Sequence, residues 1–482
     1  MLIARKMIKW SQLFRNNRLF LIFLLCWTAL FFGLRTVQHL SFGTNTYDLS
    51  IYDYMMSYTL QGEFMPEPFH GYWGSHFAMH ATPILFLLVP FYLLFDGPLF
   101  LLYIQVLAGA LSALVLYIIA KQVLGGKYIP ALIAIIFLLY RPFLNVLMFD
   151  FHPEIFFPLL LFSAYYFIAI KKRLLLYFIF ITLALFIKED IPIFLFFFGI
   201  FLFIKLKEDK KIGLITSGTA ILYFILVLEF VIPHFRDQVG IGRKFEYYGL
   251  WGDLGNNIFE VAKNFILNAP SILASLPWGE IGSSLFNIFA ALLFIPLFSP
   301  FILLAVPPIG ILASSQSPVM HGFGLHYFAN ILPFLFLAFV YGLKNIGVRL
   351  NRRKKSKKIF VAICVSICLI TLANTKWELL KPSRYSGLED YKALKKVIES
   401  IPRDTSVASL SSIIPHIPKR KNIVMLPQTA DAEFILVHSG LNHWPFSEEE
   451  FARFLENLES DENYVCILSD DRIQLFRKNP ID

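Results

Sequence analysis

Charge is scarce in this sequence. Asp, Glu, Lys and Arg make up 16% of 482 residues, against about 25% in a typical soluble protein. A water-facing surface over the whole chain is therefore excluded. Cysteine is scarce too. Four are present, and Cys26, Cys364 and Cys368 lie inside apolar runs while Cys466 stands alone; that is too few for a disulfide framework. There is no Walker loop, nucleophile elbow or CxxC, which removes the chemistries those motifs carry. No short-period repeat and no low-complexity tract interrupts the chain.

What is abundant is apolar. The chain is 57% hydrophobic and contains 52 phenylalanines. Runs of near-spanning length recur from Leu19 to Ala373, the pattern of an α-helical polytopic membrane protein. About eleven spans are expected, near 18–34, 99–120, 129–147, 155–170, 174–188, 191–205, 212–232, 283–298, 300–314, 327–343 and 358–373. The basic N-terminus runs straight into the first without a small-residue cleavage site, so it reads as a retained span.

The stretch "ATPILFLLVPFYLLF" (81–95) is apolar but short, with Pro83 and Pro90. Positive charge decides its status. If it does not cross, 22 of the 43 Lys and Arg fall in cytoplasmic loops and 7 in outer loops before residue 374. If it crosses, most basic clusters land outside, against the positive-inside rule. The expected topology therefore has a cytoplasmic N-terminus and an outer, re-entrant or surface-lying 81–95. The net charge of +9 is a topology signal, and no nucleic-acid partner is implied. All eleven histidines then fall outside, with nearly all acids; Glu208 and Asp209 are inner and Asp96 is ambiguous.

Residues 1–373 form the membrane domain, with long outer loops 35–98 and 233–282. Residues 374–482 change character, with 14 basic and 17 acidic residues. "SVASL", "NIVML" and "AEFILVHS" read as strands. "EDYKALKKVIES" and "SEEEFARFLENLE" read as amphipathic helices, and "YVCILSDDRIQLF" as a hairpin turning at Asp470-Asp471. A small extracytoplasmic α/β domain is expected.

Five outer segments, two of them in the loop 35–98, carry candidate chemistry. "NTYDLSIYDYMM" places Asp48 and Asp53 soon after the first span, where a carboxylate can act as general base or simply cap a helix. "HGYWGSHFAMHATP" spaces His76 and His80 by four, one face of a helix, suiting a metal or a phosphate; the Glu of an HExxH protease is missing. In "MFDFHPEIFFP", Asp150, His152 and Glu154 alternate, so an extended backbone points them one way, suiting a divalent cation bound with a phosphate. Pro153 at a polar turn is the plain alternative. Arg141, two turns earlier, can meet a phosphate or snorkel. "FIKEDIPIF" puts Lys188, Glu189 and Asp190 in a very short loop, where Lys188 suits a phosphate. "MHGFGLHYF" adds His321 and His326.

"YDLSIYD", "HFAMH", "DFHPE" and "KED", in this order, together with "SSIIPHIPKRKNIVMLP…ADAEFILVHSG", resemble a domain-of-unknown-function family of prokaryotic multi-pass membrane proteins. More distantly, the chain resembles the GT-C superfamily of membrane glycosyltransferases. That resemblance implies an acid after the first span, here Asp48 or Asp53, and a second acidic pair, here Asp150 and Glu154. It also implies a soluble domain after the last span and a donor sugar on a polyprenyl phosphate in the membrane lipid. D-x-H-x-E departs from the bare D-x-D or D-x-E of those enzymes.

The expected function is sugar transfer at the outer face of the cell (inner) membrane, with 81–95 covering the lipid entrance. A lipid or solute transporter or flippase is the rival, although such carriers place ionisable groups near the midplane on broken or repeated helices. A non-enzymatic scaffold displaying the tail is a third reading.

Overall fold

In the computed structural model, residues 17–95, 97–206, 209–244, 246–251, 254–351, 356–429 and 432–479 are described. The basic N-terminal segment, Asp96, Glu208 and the basic run 352–355 lie outside them. The molecule is mainly helical. Among the described residues, five helices are long and apolar enough to cross a membrane: Arg18–Leu40, Pro98–Leu124, Pro153–Lys171, Lys210–Val239 and Leu332–Leu350. Ile129–Leu139 and Arg141–Met148 make a sixth if the 51° bend between them lies within one span. Four shorter apolar helices follow the same pattern: Leu174–Leu185, Ile191–Lys205, Pro300–Ala313 and Lys358–Asn374.

The count of eleven is therefore not reproduced among the described residues. The expected span at 283–298 is not one helix. Its helix ends at Ala290, Leu293 and Phe294 take positive φ, and a short 3-10 turn covers Ile295–Phe298. Pro296 lies in this stretch; it lacks an N–H for the helical ladder and crowds the carbonyl four residues back. Residues 81–95 form a 3-10 segment, Pro83–Leu87, and one turn of helix, Val89–Tyr92. Neither piece is a helix of spanning length.

Local chemistry explains the sharpest features. The bend at Tyr140 precedes Arg141-Pro142, where the ring of Pro142 cannot continue the preceding helix. Ile191–Lys205 and Lys210–Leu226 pack as a close pair at two glycines. A Cβ at Gly199 would stand 2.6 Å from Ser217 N and 2.7 Å from Gly213 O, so only glycine allows that approach.

Strands β1 (Pro66–Glu67) and β2 (Gly74–Ser75) pair as a short hairpin. A second region follows the last apolar helix. There β3 (Val407–Ser409), β4 (Ile423–Met425), β5 (Phe434–His438), β6 (Tyr464–Ser469) and β7 (Ile473–Lys478) form one sheet in the order β4-β3-β5-β7-β6. β3 is parallel to β4 and β5, whereas β5–β7 and β6–β7 are antiparallel. Helices Tyr391–Ser400 and Glu448–Glu459 accompany the sheet, the latter opened by a Ser447/Glu450 capping box. The sheet region is anchored on the segment after the first helix. Thr46 N donates to Ser411 Oγ at 3.1 Å and Thr46 Oγ1 to Ser411 O at 2.9 Å. The rings of His39 and His416 stack at 4.2 Å.

Candidate functional site

The site is built by one helix end. The last carbonyls of Arg141–Met148 have no partners inside their own helix. Arg35, fully buried near the end of Arg18–Leu40, donates to Met148 O and Phe149 O, both at 2.8 Å. Gln105 donates to Leu147 O and Phe149 O, both at 2.9 Å, and accepts from His152 N at 3.2 Å. Two polar side chains from two apolar helices thus hold the segment 149–152.

From that segment the side chains diverge. Asp150 accepts from Asn45 N at 2.9 Å and from Asn45 Nδ2 at 3.3 Å. Burial lifts its carboxyl to about 6, against the pull of Arg35. His152 Nε2 meets Asp48 Oδ1 at 3.0 Å, and its Nδ1 donates to Asp150 O at 3.1 Å. With an acceptor at each nitrogen the ring is held as an imidazolium. Burial opposes the charge, but Asp48 and Glu154 outweigh it and keep His152 above the usual imidazole range. Glu154, on the turn Pro153–Ile155, instead takes Lys188 Nζ at 2.8 Å. That turn breaks the alternation an extended chain would have, so the three acidic and imidazole groups do not share one centre.

Lys188 sits among Glu154, Glu189 and Asp190. Burial works against its charge, yet the three acids hold its ammonium well above the usual lysine range. Glu189 accepts from Ala81 N at 3.1 Å and meets His80 Nδ1 at 2.6 Å. Asp190 accepts from Asn330 Nδ2 at 3.1 Å. Burial lifts both carboxyls to about 7, with Lys188 pulling the other way. His326 stacks on His152 with ring centroids 3.6 Å apart and planes 8° from parallel. Burial first, then the charge of His152, pushes His326 well below the usual range. Its Nε2 lies 3.9 Å from Glu154 Oε1.

Exposure varies across this layer: the Asp48 side chain is 26% exposed and that of Lys188 12%, whereas that of Glu154 is 2%. Inside it, Glu154 Oε2, Asp190 Oδ1, Asn330 Oδ1 and His326 Nδ1 are buried and have no hydrogen-bond partner among the described residues.

Other candidates go elsewhere. Asp53 is buried against Lys419 Nζ at 3.1 Å and accepts from Tyr92 OH, so it serves the contact with the sheet region. Arg141 pairs with Glu378 at 2.9 Å on an exposed surface. His321 Nε2 donates to Ser315 O at 2.6 Å, within its own loop. His76 and His80 do not act as a helical pair. Their rings lie 5.6 Å apart, but His80 turns to Glu189 while His76 faces Glu67. Among the described residues, the three that gather ligand atoms within 4.8 Å of one another are Glu67, His70 and His76.

Sequence reasoning missed Arg35, Gln105, Asn330, Glu67 and His70. Arg35 and Gln105 carried a usable signal, since a polar side chain inside an apolar run needs a partner. Glu67 and His70 carried none, because their partnership is made by a small hairpin.

A family profile described as "Predicted membrane protein (DUF2079)" matches residues 38–473. The chain belongs to this family. It is a multi-pass membrane protein, and the layer from Asp48 to His326 lies wholly inside the matched region. No curated protein matches the sequence. Among solved structures, the chain is similar to apo ArnT from Cupriavidus metallidurans, at 10% identity and a TM-score of 0.49, over 93% of this chain and 97% of that one.

Proposed function

We propose that this protein is a membrane glycosyltransferase of GT-C type, acting on a polyprenyl-phosphate sugar at the outer face of the cell (inner) membrane. In this reading the N-terminus is cytoplasmic and the residues after 373 form an extracytoplasmic domain. The observation that carries it is Asp48: a partly exposed carboxylate on the imidazolium of His152, at the rim of a buried layer with unsatisfied acceptor atoms. Glu154 Oε2, Asp190 Oδ1 and Asn330 Oδ1 call for donors, and the hydroxyls of a sugar supply them.

The transfer runs from that geometry. Asp48 takes the proton of an acceptor hydroxyl as its oxygen bonds the anomeric carbon. The bond from that carbon to the phosphate oxygen breaks, and the electron pair leaves with the lipid phosphate. The cations facing that charge are His152 and Lys188. Asp53, Arg141, His76 and His321 have no part in the step. Residues 81–95 lie against the layer through Ala81 and Glu189, a fitting cover for the lipid entrance.

The test is a mass-spectrometric profile of polyprenyl-phosphate sugars in a deletion strain carrying either the wild-type gene or Asp48→Asn at matched expression. A lipid-linked sugar that accumulates only with the variant identifies the donor. Identical profiles overturn the transferase reading. One observation favours a second reading, a proton-coupled carrier: Glu189 and Asp190 titrate about 7 beside a buried lysine. Proton uptake by reconstituted vesicles that depends on Asp190 and not on Asp48 would select it.

A further inference from the structure

Away from the Lys188 layer, a short hairpin assembles a different chemistry. Strands β1 (Pro66–Glu67) and β2 (Gly74–Ser75) pair antiparallel, with Glu67 opposite Gly74. His70 lies in the connecting loop, where Gly71 takes φ +80°, and His76 follows β2 directly. Glu67 is fully buried and His76 is 2% exposed. Glu67 Oε1 lies 2.5 Å from His70 Nδ1 and 3.9 Å from His76 Nδ1. The second distance is too long for a hydrogen bond, and both ring nitrogens of His76 are buried without a partner among the described residues. An imidazole left so costs about 1–3 kcal/mol, which a ligand at its lone pair would recover.

We propose that Glu67, His70 and His76 form a binding site for a borderline first-row divalent cation, Zn²⁺ in the first instance. Two imidazole nitrogens with one carboxylate oxygen suit zinc, whereas Ca²⁺ and Mg²⁺ prefer oxygen alone. Tetrahedral zinc with bonds of about 2.1 Å sets its ligand atoms about 3.4 Å apart. The present separations of 2.5 and 3.9 Å from Glu67 bracket that value, so both Glu67 pairs adjust by less than about 1 Å, and the two imidazoles already hold ligand atoms within 4.8 Å of each other.

Three protein ligands leave a fourth position. The His70 side chain is 19% exposed and lines a cleft of about 380 Å³ with Tyr47, Tyr72, Arg236 and Gln428. The open position therefore faces this cleft and takes water or an anionic oxygen. Tyr47 adjoins Asp48, and Gln428 belongs to the sheet region, so the cation would sit where the hairpin, the first helix connection and the sheet region meet. The inference stands apart from the transferase reading, since it concerns binding and not turnover.

The experiment uses the full chain, tag-free, in detergent micelles, stripped with a chelator and dialysed against Zn²⁺. Elemental analysis is expected to find one zinc per chain, and zinc to raise the thermal midpoint. His70→Ala should lower the affinity by at least ~100-fold, beyond what loss of a mere supporting partner costs. His234→Ala, an exposed control, should retain full occupancy. Replacement by Co²⁺ should give the visible absorption of a low-coordinate centre, absent in Glu67→Gln. If Glu67→Gln fails to fold, His70→Ala, at a partly exposed loop position, decides alone. A wild type that takes up no zinc, or a folded His70→Ala that keeps wild-type occupancy and affinity, overturns the proposal.

Discussion

The segment 46–53 touches two regions that treat the same side chain differently. At its start, Asp48 meets His152 at the rim of the charged layer and stays partly open. Five residues on, Asp53 is closed between Lys419 and Tyr92 where the sheet region docks. Both are aspartates soon after the first span. The difference lies in what the neighbouring elements bring. In the layer, charges are buried in a mixed set with acceptor atoms to spare, a state that costs free energy unless a ligand uses it. At the docking contact, each charge has its partner and nothing is left over.

The sharpest way to break the comparison is at Lys188. Removing it strands Glu154 in a buried site, which costs about 3–5 kcal/mol. Lys188→Met should therefore lower stability by that amount in chemical unfolding in micelles, while Lys188→Met with Glu154→Leu should recover most of it. A single variant as stable as wild type would show the layer to be solvated.

Asp53→Asn comes next, at about 1–3 kcal/mol from a charged hydrogen bond lost at the docking contact. Under the transferase proposal, its transfer activity should be retained once it is folded. Asp48→Asn should do the reverse. A partly exposed pair contributes under about 1 kcal/mol, whereas loss of a general base lowers the rate by about 10²–10⁴-fold. Measuring both variants for stability and for turnover tests the division; equal losses of turnover would abolish it.

The layer also has a pH signature. His152 is raised above its unfolded value, and so are the carboxyls of Asp150, to about 6, and of Glu189 and Asp190, to about 7. A folded state that holds protons more tightly than the unfolded chain is favoured at low pH. The contribution of the carboxyls is full below about 4, their unfolded range, and is lost as pH rises through 6 to 7; that of His152 follows above its unfolded value. Burial pushes His80 and His326 the other way, so they add stability as pH rises to about 6.5. The carboxyl effect is read as a difference, the thermal midpoint of Asp190→Asn falling less than that of the wild type between about pH 5 and 8. The smallest effect is expected at Arg141→Ala, under about 1 kcal/mol for an exposed pair with Glu378.

The membrane class and the elements of the C-terminal sheet were legible in the sequence. Run length and periodicity are local properties. "YVCILSDDRIQLF" alternates and turns within its own length, and β6 and β7 form there. The span at 283–298 was misread because hydropathy does not register that prolines break a run. The candidate residues were legible as types and as loops, since charge between apolar runs needs a reason.

The amino-acid sequence by itself determined that this chain enters a membrane and that its acids and histidines gather in a few connections. Only the tertiary structure decided that Asp48 and not Asp53 meets His152, that Lys188 takes Glu154, and that His76 faces Glu67 and not His80. The physical reason is that a buried charge is stabilised by whatever packing brings beside it after water is removed. That partner is usually remote in sequence, as Lys188 is from Glu154 and Asp48 from His152, and no local pattern encodes it.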